Sequence, residues 1–182
     1  MSIIERVKNI LTTPKTEWQA IAAEPATVGG LYTGYIMILA AIPAIAALIS
    51  SVIRGALVSG VVMAVLTYVL DLVMVYLVAL IINALAPSFG GQKDQIQALK
   101  TIAYTKTAAW VAGIALIIPG IGAIISLVAS LYGIYLLYLG LPATMKCPPE
   151  KTIVYMVVTF LCLFVLSILV GLVLAPLALL LA

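Results

Sequence analysis

The sequence predicts an all-α membrane protein: a bundle of five transmembrane helices preceded by an N-terminal amphipathic interfacial segment. Three observations lead there. Of the 182 residues, 65% are hydrophobic and only 8% charged, where a soluble domain carries about 25% charged residues. So few charges cannot cover a water-facing surface, so lipid must be the solvent for much of the chain. Apolar stretches of about the length needed to cross a bilayer, roughly 20 residues, occur at 35–53, 56–85, 98–118, 121–141 and 153–174. The basic residues, finally, gather on one side of those stretches.

Residues 1–28 read as a cytoplasmic amphipathic segment and 29–182 as the five-helix transmembrane domain. In the first segment Ile3, Ile4, Val7, Ile10 and Leu11 recur at helical spacing, with Glu5, Arg6, Lys8 and Asn9 between them. Thr13 and Pro14 supply an N-cap and a first-turn proline for a second short helix carrying Trp18, Ile21 and Ala22 on one side. Both helices are expected to lie on the inner membrane surface or to cap the mouth of the bundle. No apolar run with a small-residue cleavage site opens the chain, so the first span itself is expected to direct export.

The second stretch is longer than one crossing requires, an excess that tilt, a protruding end or two half-spans would absorb. Between the third and fourth, Pro119-Gly120-Ile121-Gly122 makes a tight uncharged hairpin. The tail at 175–182, apolar apart from Pro176, either extends the last helix or bends along the outer surface. With five spans, Arg6, Lys8, Lys15, Lys93, Lys146 and Lys151 share one side and Lys100 and Lys106 lie near it, leaving Arg54 on the other. The positive-inside rule then puts the N-terminus in the cytoplasm and the C-terminus outside, in the cell (inner) membrane.

Asp71 sits near the middle of the second span among Val69, Leu70, Leu72 and Val73. An acid at the bilayer centre costs about 2.5–3.5 kcal/mol on insertion scales, so it should face the bundle interior or water. Thr67 and Tyr68 lie one turn earlier and are hydrogen-bond donors. Lys106, in Tyr104-Thr105-Lys106-Thr107, is the nearest counter-ion. In an antiparallel hairpin its level falls about 10 Å cytoplasmic of Asp71, at ~1.5 Å per residue. Asp71, Lys106, Thr67, Tyr68 and Tyr104 therefore form a candidate intramembrane polar site. Either it binds a proton or cation, or Asp71 is neutralised and cross-links helices.

Tyr132, Tyr135 and Tyr138, with Tyr32, Tyr35 and Tyr155, suit a headgroup-level belt. Ala108, Ala112 and Gly113 suit close helix packing. The chain has no histidine, and its two cysteines, Cys147 and Cys162, have no ligand spacing. Paired carboxylates, a phosphate-binding glycine loop and a nucleophile–base pair are also missing. A non-enzymatic protein without cofactor or metal is expected, with the bilayer, a second copy or other membrane proteins as partners and no nucleic acid.

Several short motifs carry a family resemblance. Residues 14–25 (PKTEWQAIAAEP) lead into Gly30-Leu31-Tyr32-Thr33-Gly34-Tyr35. Phe89-Gly90-Gly91-Gln92 precedes a span opening with Ala103-Tyr104, and Leu137-Tyr138-Leu139-Gly140-Leu141 is followed by Lys146, Pro149 and Lys151. The chain thus resembles the prokaryotic branch of the Yip family, membrane proteins named in eukaryotes for interacting with Ypt/Rab GTPases. The resemblance implies five spans and a cytoplasmic N-terminus. It suggests a membrane-organising or interaction role and offers no catalytic residues; the alternative, drawn from Asp71 in a polar intramembrane cavity, is a small carrier or channel for protons, cations or lipid. Many relatives open the third span with an apolar Ala-Tyr…Pro run, whereas this chain has Lys106 and no proline until Pro119.

Overall fold

The computed structural model describes the backbone of residues 1–118 and 120–181 and the side chains of residues 1–118 and 120–172. Among the described residues it is helical throughout, without strands. Two short helices, α1 (Ile3–Thr12) and α2 (Pro14–Ala23), form an N-terminal hairpin. They are followed by α3 (Val28–Ile53), α4 (Leu57–Leu85), α5 (Gln95–Thr105), α6 (Thr107–Ala112), α7 (Ile121–Met145) and α8 (Pro149–Leu181).

Among the described residues, four segments are long and apolar enough to cross a membrane: Val28–Ile53, Leu57–Phe89, Ile121–Met145 and Pro149–Leu172. The stretch at 98–118 is different. It forms α5, a tightened turn at Lys106, α6, and a 3-10 turn at Gly113–Ile117. Thr105 and Thr107, stiff β-branched residues, flank Lys106. Farther on, the backbone tightens where Gly113 meets Pro43 of α3, at a distance that leaves no room for a side chain: a Cβ on Gly113 would lie 2.6 Å from the Pro43 Cβ. This broken segment runs antiparallel to α4 and is wrapped by α3, α4 and α7. It is the most buried part of the bundle, with every residue from Ala98 to Thr105 buried.

Other boundaries also shift. The first span begins at Val28 rather than 35, because a π-helical turn at Tyr32–Ile36 carries the helix through the glycine-rich entry. The second is one unbroken helix, and its excess runs on as a 3-10 turn at Ala86–Phe89. The last helix continues through Leu181, taking in the apolar tail up to that residue. Pro119, the first residue of the expected hairpin turn, lies outside the described residues; Gly120, with φ +82°, begins the return into α7.

The tyrosines do more than mark an interface. Tyr32 Oη donates to the Leu72 carbonyl at 2.8 Å, Tyr132 Oη to that of Leu11 at 2.8 Å, and Tyr155 Oη to that of Ile82. Tyr35 Oη is 2.7 Å from Thr107 Oγ1. Each bond ties two segments together in a region where water is scarce and a hydroxyl needs a partner. Tyr135 and Tyr138 remain outward-facing.

The N-terminal hairpin turns its apolar side into the bundle. Ile10, Trp18 and Ile21 are fully buried. Ser2 and Glu5 form a reciprocal capping box at the start of α1. The Glu5 carboxyl is held below its ordinary range chiefly by the backbone hydrogen bond from Ser2.

Candidate functional site

The loop at 86–94 sets the register that builds the site. Gly90, with φ +76°, turns the chain back, Gly91 N donates to Ala86 O at 2.8 Å, and Gln92 N to Met145 O at 2.8 Å. Asp94 then caps α5, its Oδ1 accepting from Ile96 N at 2.9 Å and Gln97 N at 3.0 Å. The helix therefore starts at Gln95, ahead of the apolar stretch. Asn83 Nδ2 donates to Gln95 Oε1 at 3.0 Å, twelve residues beyond Asp71 on α4 and eleven before Lys106. Asp71 and Lys106 consequently face each other at one level instead of being offset by about 10 Å.

There they form a direct ion pair, Lys106 Nζ to Asp71 Oδ1, with roughly a quarter of each side chain exposed. Trp110 Nε1 donates to Asp71 Oδ2 at 2.6 Å, and the Lys106 ammonium lies 5.3 Å from the Trp110 ring centroid. Both carboxylate oxygens thus have donors from the facing segment. Asp71 is the central residue of α4, so this cluster occupies the middle of the helix bundle.

Two cavities meet at the pair. One, of about 390 Å³, lies toward the Arg54 end, among Pro43, Ala44, Thr67, Tyr68, Trp110 and Leu116. The other, of about 360 Å³, lies toward the 86–94 loop, among Val78, Thr105, Ser130, Leu137, Thr159 and Leu163. Asp71, Lys106 and Ala109 form part of the wall of both.

Of the expected residues, Thr67, Tyr68, Asp71 and Lys106 are brought together. Thr67 and Tyr68 line the first cavity without bonding Asp71: Thr67 Oγ1 donates to Met63 O at 2.8 Å, and Tyr68 Oη to Met37 O at 3.0 Å. Tyr104 goes elsewhere. Two residues before Lys106, it projects from the other side of α5, 4.6 Å from the Tyr35 ring centroid and edge-on to Trp18 at 6.3 Å. Trp110 was not among the expected residues. Its spacing of four from Lys106, which puts both on one helical face, was the available signal.

Tyr104 belongs to a second cluster that fastens the N-terminal hairpin. Arg6 is buried above its ring at 5.7 Å, pairs with Glu17 at 2.5 Å and also pairs with Glu24. Burial opposes the Arg6 charge, but the Glu24 hydrogen bond and the two carboxylates prevail and hold the guanidinium above its ordinary value. Lys100 Nζ donates to Ile21 O at 2.8 Å and Glu24 O at 2.5 Å, and Gln97 Nε2 donates to Ala22 O at 2.9 Å. These carbonyls end α2, where unpartnered acceptors and the helix dipole favour a cation.

Residues 8–180 match the family model described as the Yip1 domain. The chain belongs to the Yip1 domain family. No curated protein and no solved structure matches it. The match takes in the Asp71–Lys106 pair and, apart from Arg6, the N-terminal clamp. Together with its long apolar helices, the match makes this a multi-pass integral membrane protein of the Yip family.

Proposed function

We propose that this Yip1-domain protein is a non-enzymatic, membrane-organising protein of the inner membrane, with its N-terminus cytoplasmic and its C-terminus outside. It acts through contacts with the bilayer and with other membrane proteins or further copies of itself. One observation carries this reading: Asp71 has both oxygens engaged within the chain, by Lys106 and by Trp110. A carboxylate so neutralised serves as a cross-link in the apolar core, where removing one partner leaves the other charge uncompensated. The clustering of Lys8, Lys15, Lys93, Lys146 and Lys151 on one side supports the orientation.

A second reading, a small carrier or channel for protons, cations or lipid, is favoured by the two cavities that meet at Asp71. Reconstitution separates the two. Vesicles containing the wild type should show no proton or cation flux and no lipid exchange above empty vesicles, while Asp71→Asn should lower thermal stability. Flux in the wild type that collapses in Asp71→Asn, with folding intact, would falsify the organising reading. Accessibility of tags at the two chain ends in intact cells tests the orientation.

A further inference from the structure

The cavity toward the 86–94 loop is mostly apolar, lined by residues such as Met74, Val78, Leu137 and Leu163, but its polar residues are not all accounted for. Thr105 is 8% exposed, and its hydroxyl has no hydrogen-bond partner among the described residues. A buried polar group left in this state needs an explanation. Ser130 and Thr159, on the same wall, have theirs: each donates to a carbonyl one turn back at 2.8 Å. Beside Thr105 stands Lys106, an ammonium with three donors, of which Asp71 Oδ1 takes one.

We propose that this cavity binds a neutral membrane lipid with a long apolar body and a carbonyl oxygen, the oxygen accepting hydrogen bonds from Thr105 and Lys106. The Thr105 hydroxyl can donate or accept, but the remaining Lys106 hydrogens can only donate, so an acceptor oxygen is what satisfies both. Asp71 and Lys106 already cancel in charge, so a charged head would bring an uncompensated ion into the bundle core, which is costly there. The site lies level with the midpoint of α4, below the depth of phospholipid headgroups, so the occupant is dissolved in the hydrocarbon interior. A volume of about 360 Å³ lies in the range of ligand pockets, which pair an apolar lining with a few placed polar groups. Two sources share this chemistry, an isoprenoid quinone and a fatty acyl ester. The inference goes beyond both functional readings, because binding requires no transport.

The chain has two tryptophans, so Trp18→Phe leaves Trp110, hydrogen-bonded to Asp71, as the sole indole reporter. In nanodiscs, decylubiquinone should quench Trp110 emission saturably. Methyl oleate is then titrated against the quinone, and octadecene serves as the chain without a carbonyl. Saturable quenching that methyl oleate leaves unchanged identifies the quinone, and competition by methyl oleate shows that an ester carbonyl also serves. Thr105→Val should weaken binding about fivefold, the effect of one hydrogen bond, while Ser167→Ala, outside the cavity, should not. Circular dichroism should show Thr105→Val folded, since its hydroxyl has no partner to lose. Equal competition by octadecene, quenching that never saturates, or unchanged affinity in Thr105→Val would overturn the proposal.

Discussion

Replacing Gly140 by alanine should loosen the N-terminal hairpin without unfolding the bundle. A Cβ on Gly140 would lie 2.7, 2.8 and 3.0 Å from Cζ2, Cη2 and Cε2 of Trp18, well inside contact distance. Trp18 cannot retreat easily. Its ring is edge-on to Tyr104, which itself packs on Tyr35 and beneath Arg6. The strain therefore falls on the seating of α2 against α7. Overpacking of this kind costs about 1–3 kcal/mol, which multiplies the population of detached hairpin by about fivefold to 150-fold. Lys8 and Lys15, both exposed on the hairpin, make trypsin a suitable probe, because cleavage of a transiently open segment follows its population. Cleavage between residues 8 and 16 should accelerate by that factor, while cleavage after Lys93 should not change. The benzyl ring of phenylalanine is shorter, so Trp18→Phe in the same chain should remove much of the added cost, leaving the double variant well short of additivity. Unchanged cleavage in Gly140→Ala, or full additivity, would refute the account of how the hairpin is held.

Three further perturbations test other joints. Gly113→Ala places a Cβ 2.6 Å from Pro43 Cβ and 3.0 Å from its Cα, so it should lower the thermal midpoint in detergent, at a cost of about 1–3 kcal/mol. Asp94→Ala removes the acceptor for two backbone amides and should destabilise by about 0.5–2 kcal/mol, read as faster amide exchange in the first turn of α5. Cys147 is buried, and that burial pushes its thiol above the ordinary value. It should resist maleimide at neutral pH until the protein is denatured, and because the folded state disfavours the thiolate, stability should decline as pH rises past the ordinary thiol range. Rapid labelling of the native protein at neutral pH would contradict this placement.

What the sequence could reveal here follows the reach of each interaction. The apolar stretches were legible because crossing a bilayer requires length and composition alone, and the Asp71–Lys106 partnership because intramembrane charges must find each other. Their level was misjudged because the apolar pattern dates the third segment from residue 98, whereas the Gly90 turn and the Asp94 cap start it earlier. Tyr104 and Trp110 show that periodicity carried more than was drawn from it: residues two apart on a helix face apart, residues four apart face together. The clamp on α2 was not legible at all. Lys100 meets Ile21 across 79 positions and Gln97 meets Ala22 across 75, and no local pattern announces such pairings.

The turn at Lys106 bears on how the chain is made. It leaves helices of eleven and six residues where a crossing needs roughly twenty. Emerging from the ribosome, this portion carries a bare ammonium that opposes its partitioning by itself. α4, synthesised first, already carries the neutralising acid. This nascent segment must therefore be received by its predecessor, so that co-translational integration and ion pairing become a single event and a defect at Asp71 would first show as retention of an unassembled chain.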